Sequence, residues 1–256
     1  DFVRFHYGKP ERWGGWTNLP NPNKTIVGVV RDTHSWVGLD GLRYLALGTN
    51  RKLYIYNEGA VYDITPIRET QALTNPFTTN GTTTVSVADT SHNAIQGDFV
   101  TFDSFSSIDG LDMNQEFEIT SITDANNYTV THTSTASGST SGGGGSGNAK
   151  YQINVGPATS TYGLGWGTDT WGSSTWGSAS SASDVVLVGR NWSLDNFGED
   201  LIATVLDGGT FIWDTSGGTG ARATALSNAP TASRFSLVST DTRHLLVFGT
   251  ETTIGS

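Results

Sequence analysis

The chain has 256 residues, 36% of them hydrophobic, which suffices for one large domain or two smaller ones around a lean apolar core. It carries 14 Lys and Arg against 24 Asp and Glu, a net charge of −10, which argues against a general nucleic-acid or anionic-membrane surface because those need dense positive charge. With no Cys, disulfides, thiolate metal sites and Cys nucleophiles are excluded, and no apolar stretch approaches the ~18 residues of a membrane span.

In chain order, the sequence opens at Asp1 without an initiator Met, in a segment of strand character (Phe2-Val-Arg-Phe-His-Tyr7) that lacks the basic-plus-hydrophobic layout expected of a secretory signal. It stops at Ser256 just after a hairpin begins, the pattern expected of an internal piece of a longer protein. Residues 1–71 carry short apolar runs punctuated by Gly, Pro and Asn: Ile26-Val-Gly-Val-Val30, Tyr44 to Leu47, Leu53 to Tyr56, and Val61-Tyr-Asp-Ile64 before Pro66. These are strand signals with turn chemistry between them, and no 3.6-residue apolar period is sustained.

At about residue 72 the texture turns rich in Thr, Ser and Asn. Short alternating segments (Thr84-Val-Ser-Val87, Asp98-Phe-Val-Thr-Phe102, Glu116-Phe-Glu-Ile-Thr-Ser-Ile122, Tyr128-Thr-Val-Thr131) are separated by turn clusters at 95–98, 108–111 and 124–127. This predicts a small β-barrel or sandwich over 72–150, inserted after Arg68 and returning near Tyr151, because insertions survive best in exposed connections of a rigid host. Its last part, Ser137-Gly-Ser-Thr-Ser-Gly-Gly-Gly-Gly-Ser-Gly147, reads as a flexible hinge or long loop before Lys150-Tyr-Gln-Ile-Asn-Val155 restores strand character.

Then comes Tyr162-Gly-Leu-Gly-Trp-Gly-Thr-Asp-Thr-Trp-Gly-Ser-Ser-Thr-Trp-Gly177, in which Trp166, Trp171 and Trp176 recur every five residues, a period of neither helix nor strand. It reads as a ribbon whose indoles pin it to a surface: its own domain, a neighbouring subunit, or a stacked glycan. Asp184-Val-Val-Leu-Val188 resumes the earlier pattern.

A unit of apolar strand, tight turn and aromatic-rich strand is written three times, from Tyr44 to Tyr56, from Leu201 to Asp214 and from His244 to Ile254. One hairpin cannot bury its own apolar faces, so recurrence implies stacked neighbours. Leu201 and Leu245 are 44 residues apart and Leu45 and Leu201 are 156 apart; setting aside the 79 residues of the insert leaves 77, close to two steps. Steps of roughly 40–45 residues suit four-stranded propeller blades. The expected fold is therefore all-β, a partial β-propeller (1–71 and 151–256) with an inserted small β-barrel or sandwich domain (72–150).

The search for chemistry is nearly empty: no nucleophile elbow, zincin motif, phosphate-binding loop or calcium loop occurs. His6, His34, His92, His132 and His244 lack ligand spacing and read as surface or turn residues. Asp195 with Glu199, or Glu199 with Asp200, could form a glycosidase carboxylate pair, but the stretch from Trp192 to Asp200 reads better as a turn. No catalytic, cofactor-binding or metal-binding residue is assigned.

Several of these segments together resemble the structural proteins of tailed-phage virions, especially tail components of short-tailed phages. They are Gly14-Gly-Trp16, Arg31-Asp-Thr-His-Ser-Trp36, the stretch from Tyr44 to Tyr56, Val61-Tyr-Asp-Ile-Thr-Pro-Ile-Arg68, the Gly/Trp ribbon, and Trp192 to Leu201 leading to Phe211-Ile-Trp-Asp214. The resemblance implies a role like that of the tail nozzle: a homo-oligomeric ring with a β-propeller in each subunit, enclosing the DNA exit channel, in contact with other phage tail or adaptor proteins. It implies a virion location, passage of phage DNA without specific binding, and neither catalytic residues nor cofactors. The eight Trp and the ribbon leave a carbohydrate- or receptor-binding propeller as the alternative.

Overall fold

The computed structural model describes residues 3–12, 25–157 and 190–250, and these form an all-β chain of several antiparallel sheets. A three-residue 3-10 turn, Thr215–Gly217, is the sole helical element among the described residues.

A hairpin of β1 (Val3–His6) and β2 (Lys9–Arg12) comes first. Next, β3 (Val30–Val37), β4 (Arg43–Thr49), β5 (Leu53–Asn57) and β6 (Ala60–Asp63) form a four-stranded meander in sequence order. Ile26-Val-Gly-Val-Val30 was expected to be a strand, yet only its last residue belongs to one. The amides of Val27 and Val29 instead donate to the Tyr54 hydroxyl (3.0 Å) and to Asn50 Oδ1 (2.8 Å), so side chains replace a ladder partner.

The Thr-rich stretch adds β7 (Ile67–Thr74), β8 (Phe77–Thr78), β9 (Thr84–Ala88), β10 (Phe99–Asp103), β11 (Glu116–Asp124), β12 (Asn127–Thr131) and β13 (Ser146–Gln152). They make one seven-stranded sheet in the order β7-β13-β10-β11-β12-β9-β8. Its two outermost strands, β7 and β8, are consecutive pieces of chain, and both meet the stretch around β13: Thr74 pairs with Ser146, and Phe77 exchanges backbone hydrogen bonds of 3.2 and 2.8 Å with Gly143.

The glycine tract is thus a long loop, as one of its two expected forms had it, but one pinned to β8 at Gly143 and running into β13 at Ser146. Glycine is required there by space as well as by backbone: Gly144 sits at φ +99°, and a Cβ on it would lie 2.5 Å from Phe77 Cδ2. Beside it, the carboxylate of Asp109 accepts from the Thr79 and Thr140 hydroxyls, which fastens the tract to the start of β9's approach. Low complexity read from sequence alone signals chain entropy, whereas here the missing side chains make room for Phe77, Ile108 and Phe105.

The core of this sheet draws only on residues between Leu73 and Tyr151, with Phe77, Phe102 and Phe105 meeting edge to face. At one end, the Tyr128 and Tyr151 hydroxyls lie 2.8 Å apart, and Tyr151 donates to Asp89, which is 2% exposed. Burial lifts the Asp89 carboxyl above its usual range, only partly offset by the Tyr151 bond and the His92 and Arg68 charges; its Oδ1 has no partner.

β14 (Trp192–Phe197), β15 (Asp200–Val205), β16 (Thr210–Trp213) and β17 (Thr224–Ala225) form a second four-stranded meander, and β18 (Phe235–Val238) with β19 (Leu245–Phe248) a third, two-stranded piece. The repeated hairpins occupy the same place in each series: β4–β5 and β15–β16 are the second and third strands of their meanders. In the third copy β19 is the second strand, and residues 251–254 lie outside the described residues.

The first two meanders pack face to face around Trp36, Tyr44, Ile55, Leu201, Ala203 and Trp213. Trp213 meets Tyr44 and Trp36 edge-on, with centroids 5.6 and 6.3 Å apart. Gly48 admits Trp192, since a Cβ would lie 2.6 Å from its Cδ1, and the Trp192 indole donates to Thr49 O at 2.9 Å. Because the sheets share this core directly, no further described sheet stands between them, contrary to the two-step spacing read from sequence. The contact of the second meander with β18 is hydrogen-bonded: Ser193 Oγ donates to Ser236 O (2.7 Å), the Thr204 and Ser236 hydroxyls meet at 2.7 Å, and the Val238 amide donates to Asp195 Oδ2 (2.7 Å). On the far side of β18–β19, Phe235, Leu237, Leu246 and Phe248 stand 37–44% exposed.

Candidate functional site

The seven-stranded sheet meets the first meander at a charged junction built by one turn. Between β4 and β5, Thr49 Oγ1 accepts the amides of Arg51 (3.1 Å) and Lys52 (2.7 Å), which turns both cations toward the seven-stranded sheet. Lys52 is fully buried; its Nζ lies 2.9 Å from Asp63 Oδ2, against Glu116, and 4.2 Å from the centre of the Phe99 ring. Arg222 arrives from the second meander and reaches Asp63 Oδ1 at 3.1 Å and Thr65 O at 2.9 Å. Burial by itself would raise the Asp63 carboxyl, but Lys52 and then Arg222, with the bonds from Thr65, outweigh it and hold the pKa at about 2.

Next to the junction lies a partly open groove of about 440 Å3, lined by Arg51, Gln96, Glu118, Asn154, Arg190 and the edges of Ile95 and Pro157. Arg51, 7% exposed, donates from Nη2 to Gly97 O (2.5 Å) and Glu118 (3.1 Å) and lies over Phe99 at 4.9 Å. Arg190 donates from Nη1 to Leu206 O at 2.6 Å and is pressed against Gly156, where a Cβ would fall 2.2 Å from Arg190 Cγ. Asn50 Nδ2 fixes Pro157 O at 2.9 Å. The backbone at 157 and at 190 is therefore held at one place beside the groove.

Trp166, Trp171 and Trp176 lie outside the described residues. The three carboxylates suggested for glycoside hydrolysis each accept backbone amides: Asp195 those of Asn196 (2.8 Å) and Val238 (2.7 Å), Glu199 Oε2 that of Leu39 (3.4 Å), and Asp200 Oδ1 that of Thr215 (3.0 Å). Only Gly198 and Glu199 form the turn expected over the whole stretch from Trp192 to Asp200; the rest is strand. His6 and His244 are exposed, but His92 and His132 are 2% and 7% exposed rather than on the surface. Each of those two rings bridges backbone, accepting the amide two residues ahead (3.0 and 2.9 Å) and meeting an Asp carbonyl (3.1 and 3.2 Å). His34 contacts Asn196 at 2.9 Å, joining β3 to β14. Among the described residues no group of three His, Cys, Asp or Glu is placed to hold a metal ion, and no helix is long and apolar enough to cross a membrane.

Sequence reading did not single out Arg51, Lys52, Glu116 or Arg190. The one available signal was an Arg-Lys pair inside a repeat turn where the other copies have Gly208-Gly209 and Glu251-Thr252.

No family model matches the chain, and no curated protein matches it. Among solved structures it is similar to the phage phi92 endosialidase, at 13% identity and a TM-score of 0.30, over 84% of this chain and 33% of that one. The chain thus spans about a third of that protein's length.

Proposed function

We propose that the chain is a non-enzymatic structural component of a bacteriophage tail, a nozzle or tube subunit that assembles with copies of itself into a ring around the DNA exit channel. The observation that carries this reading is the serial order of the sheets. The first strands of three successive pieces, β3, β14 and β18, lie side by side through His34–Asn196 and Ser193–Ser236, and the repeated hairpin follows outward each time. Radial meanders with adjacent first strands are the arrangement of propeller blades, the fold that the sequence resemblance implies. In this reading residues 1–71 and 151–256 are propeller, and 72–150, whose sheet runs from Ile67 to Gln152, is a decorating barrel. The net charge of −10 suits a wall that DNA slides past without adhering.

Cryo-electron microscopy of purified particles tests it: the chain belongs in a symmetric tail ring, and its absence from the particle would refute the assignment. The alternative, a carbohydrate- or receptor-binding module, is favoured by one feature, the groove beside Arg51 and Arg190.

A further inference from the structure

We infer that the groove between the insert and the first meander binds an acidic saccharide, a polyhydroxyl ligand bearing a carboxylate or phosphate. Two arginines, Arg51 and Arg190, line it in a chain with ten more acids than cations. Guanidinium is the side chain best shaped for planar anion recognition. Arg51 is held in place at its Nη2 by Gly97 O and Glu118 and beneath by Phe99, so its position does not depend on ligand. Glu118 balances the charge of Arg51, which leaves Arg190 as the cation that gives the groove its anion preference. Among the described residues, Arg190 is held at Nη1 by Leu206 O.

The rest of the lining is mixed in the way a sugar ring requires. The amides of Gln96 and Asn154 and the Glu118 carboxylate match hydroxyl groups, while Ile95, 56% exposed, and Pro157 offer apolar edges to ring C–H groups. Asn154 is steadied by its bond to Asp98 Oδ1 at 3.0 Å. At about 440 Å3 the volume falls within the range of small-ligand sites. The assignment is independent of the tail-ring reading, since a groove on one subunit needs no ring to bind its ligand.

Isothermal titration of the whole chain with a glucuronate-containing disaccharide, its methyl ester and inorganic phosphate tests the inference. Saturable binding of the disaccharide is expected, weaker by ~10-fold or more for the ester and for Arg190→Gln, the loss typical of one charge-assisted hydrogen bond. Competition by phosphate would show that the anion itself is read. Glu118→Gln removes the opposing charge and is expected to tighten binding several-fold, which keeps the test sound should Arg190→Gln fail to fold. Equal binding of acid and ester, no binding of either anion, or an unchanged or weakened affinity in Glu118→Gln would overturn it.

Discussion

Lys52 is a cation sealed away from water, and its three neighbours Asp63, Glu116 and Phe99 stand in for the lost hydration. Removing the ammonium leaves a buried carboxylate short of a partner, so Lys52→Met should lower stability by about 3 kcal/mol, the lower end of the cost for breaking a buried pair because Glu116 keeps some solvent; the shift of the urea midpoint measures it. Two carboxyls carry opposite pH signatures. Asp63 is held at about 2 in the fold against an ordinary 3.8, so it stabilises the fold above that ordinary value and the contribution fades as pH falls toward 2. Asp89 is raised above 3.8, so its contribution is complete below that value and is lost as pH climbs through the raised one. In urea titrations across pH, Asp63→Asn should flatten the acid limb, and Asp89→Asn should remove the decline on leaving the carboxylate range upward.

Glycine tracts can be read as slack or as close packing, and substitution separates the two. Gly144→Ala combines a positive φ with a clash on Phe77, and should cost about 2–4 kcal/mol. Gly59, in the β5–β6 turn at φ +87° with open space around it, should cost only about 1–2 kcal/mol as Ala; melting temperatures of the two variants give the comparison. If the tract were slack, Gly144→Ala would be the milder change. Elements with clean alternation were legible in the sequence: Thr84–Ala88 buries Val85 and Val87 and exposes its polar partners. The strand β7 was not recognised as one because Ile67–Thr74 has no fully buried position, so period-two apolarity never forms. β3 was misplaced by the same route, since only Trp36 of its eight residues is buried and Asp32 and His34 face the seam with β14 or solvent.

At the scale of the whole chain, the two cores share no residue: one lies within 73–151, the other joins the two meanders. The chain enters and leaves the seven-stranded sheet through neighbouring atoms, with the Ile153 amide donating to Pro66 O at 3.0 Å. A fragment of residues 66–153 should therefore fold cooperatively alone, and circular dichroism with a sigmoidal melt would show it; a featureless spectrum would mean that the charged junction is needed. The two-step spacing misjudged how directly the two meanders meet, whereas the all-β character and the hairpin recurrence could be read from the short apolar runs and the repeated strand-turn-strand unit. The groove could not, because its lining comes from stretches around 51, 96, 118, 154 and 190 that only the junction brings together, and an overall acidic composition hides two local arginines. The contact between β14–β15 and β18 has a consequence of its own. Its hydrogen bonds run through hydroxyls and a carboxylate, groups that water satisfies as readily as Ser236 does, and Val238, Leu245 and Val247, on the same face of the hairpin as Ser236, are only partly buried. The last hairpin thus swings away by baring three half-covered side chains, less apolar surface than the Trp-lined core between the first two meanders would bare, so the fold should loosen at that hairpin first, and the amides of β18 should be the earliest to trade their protons with solvent.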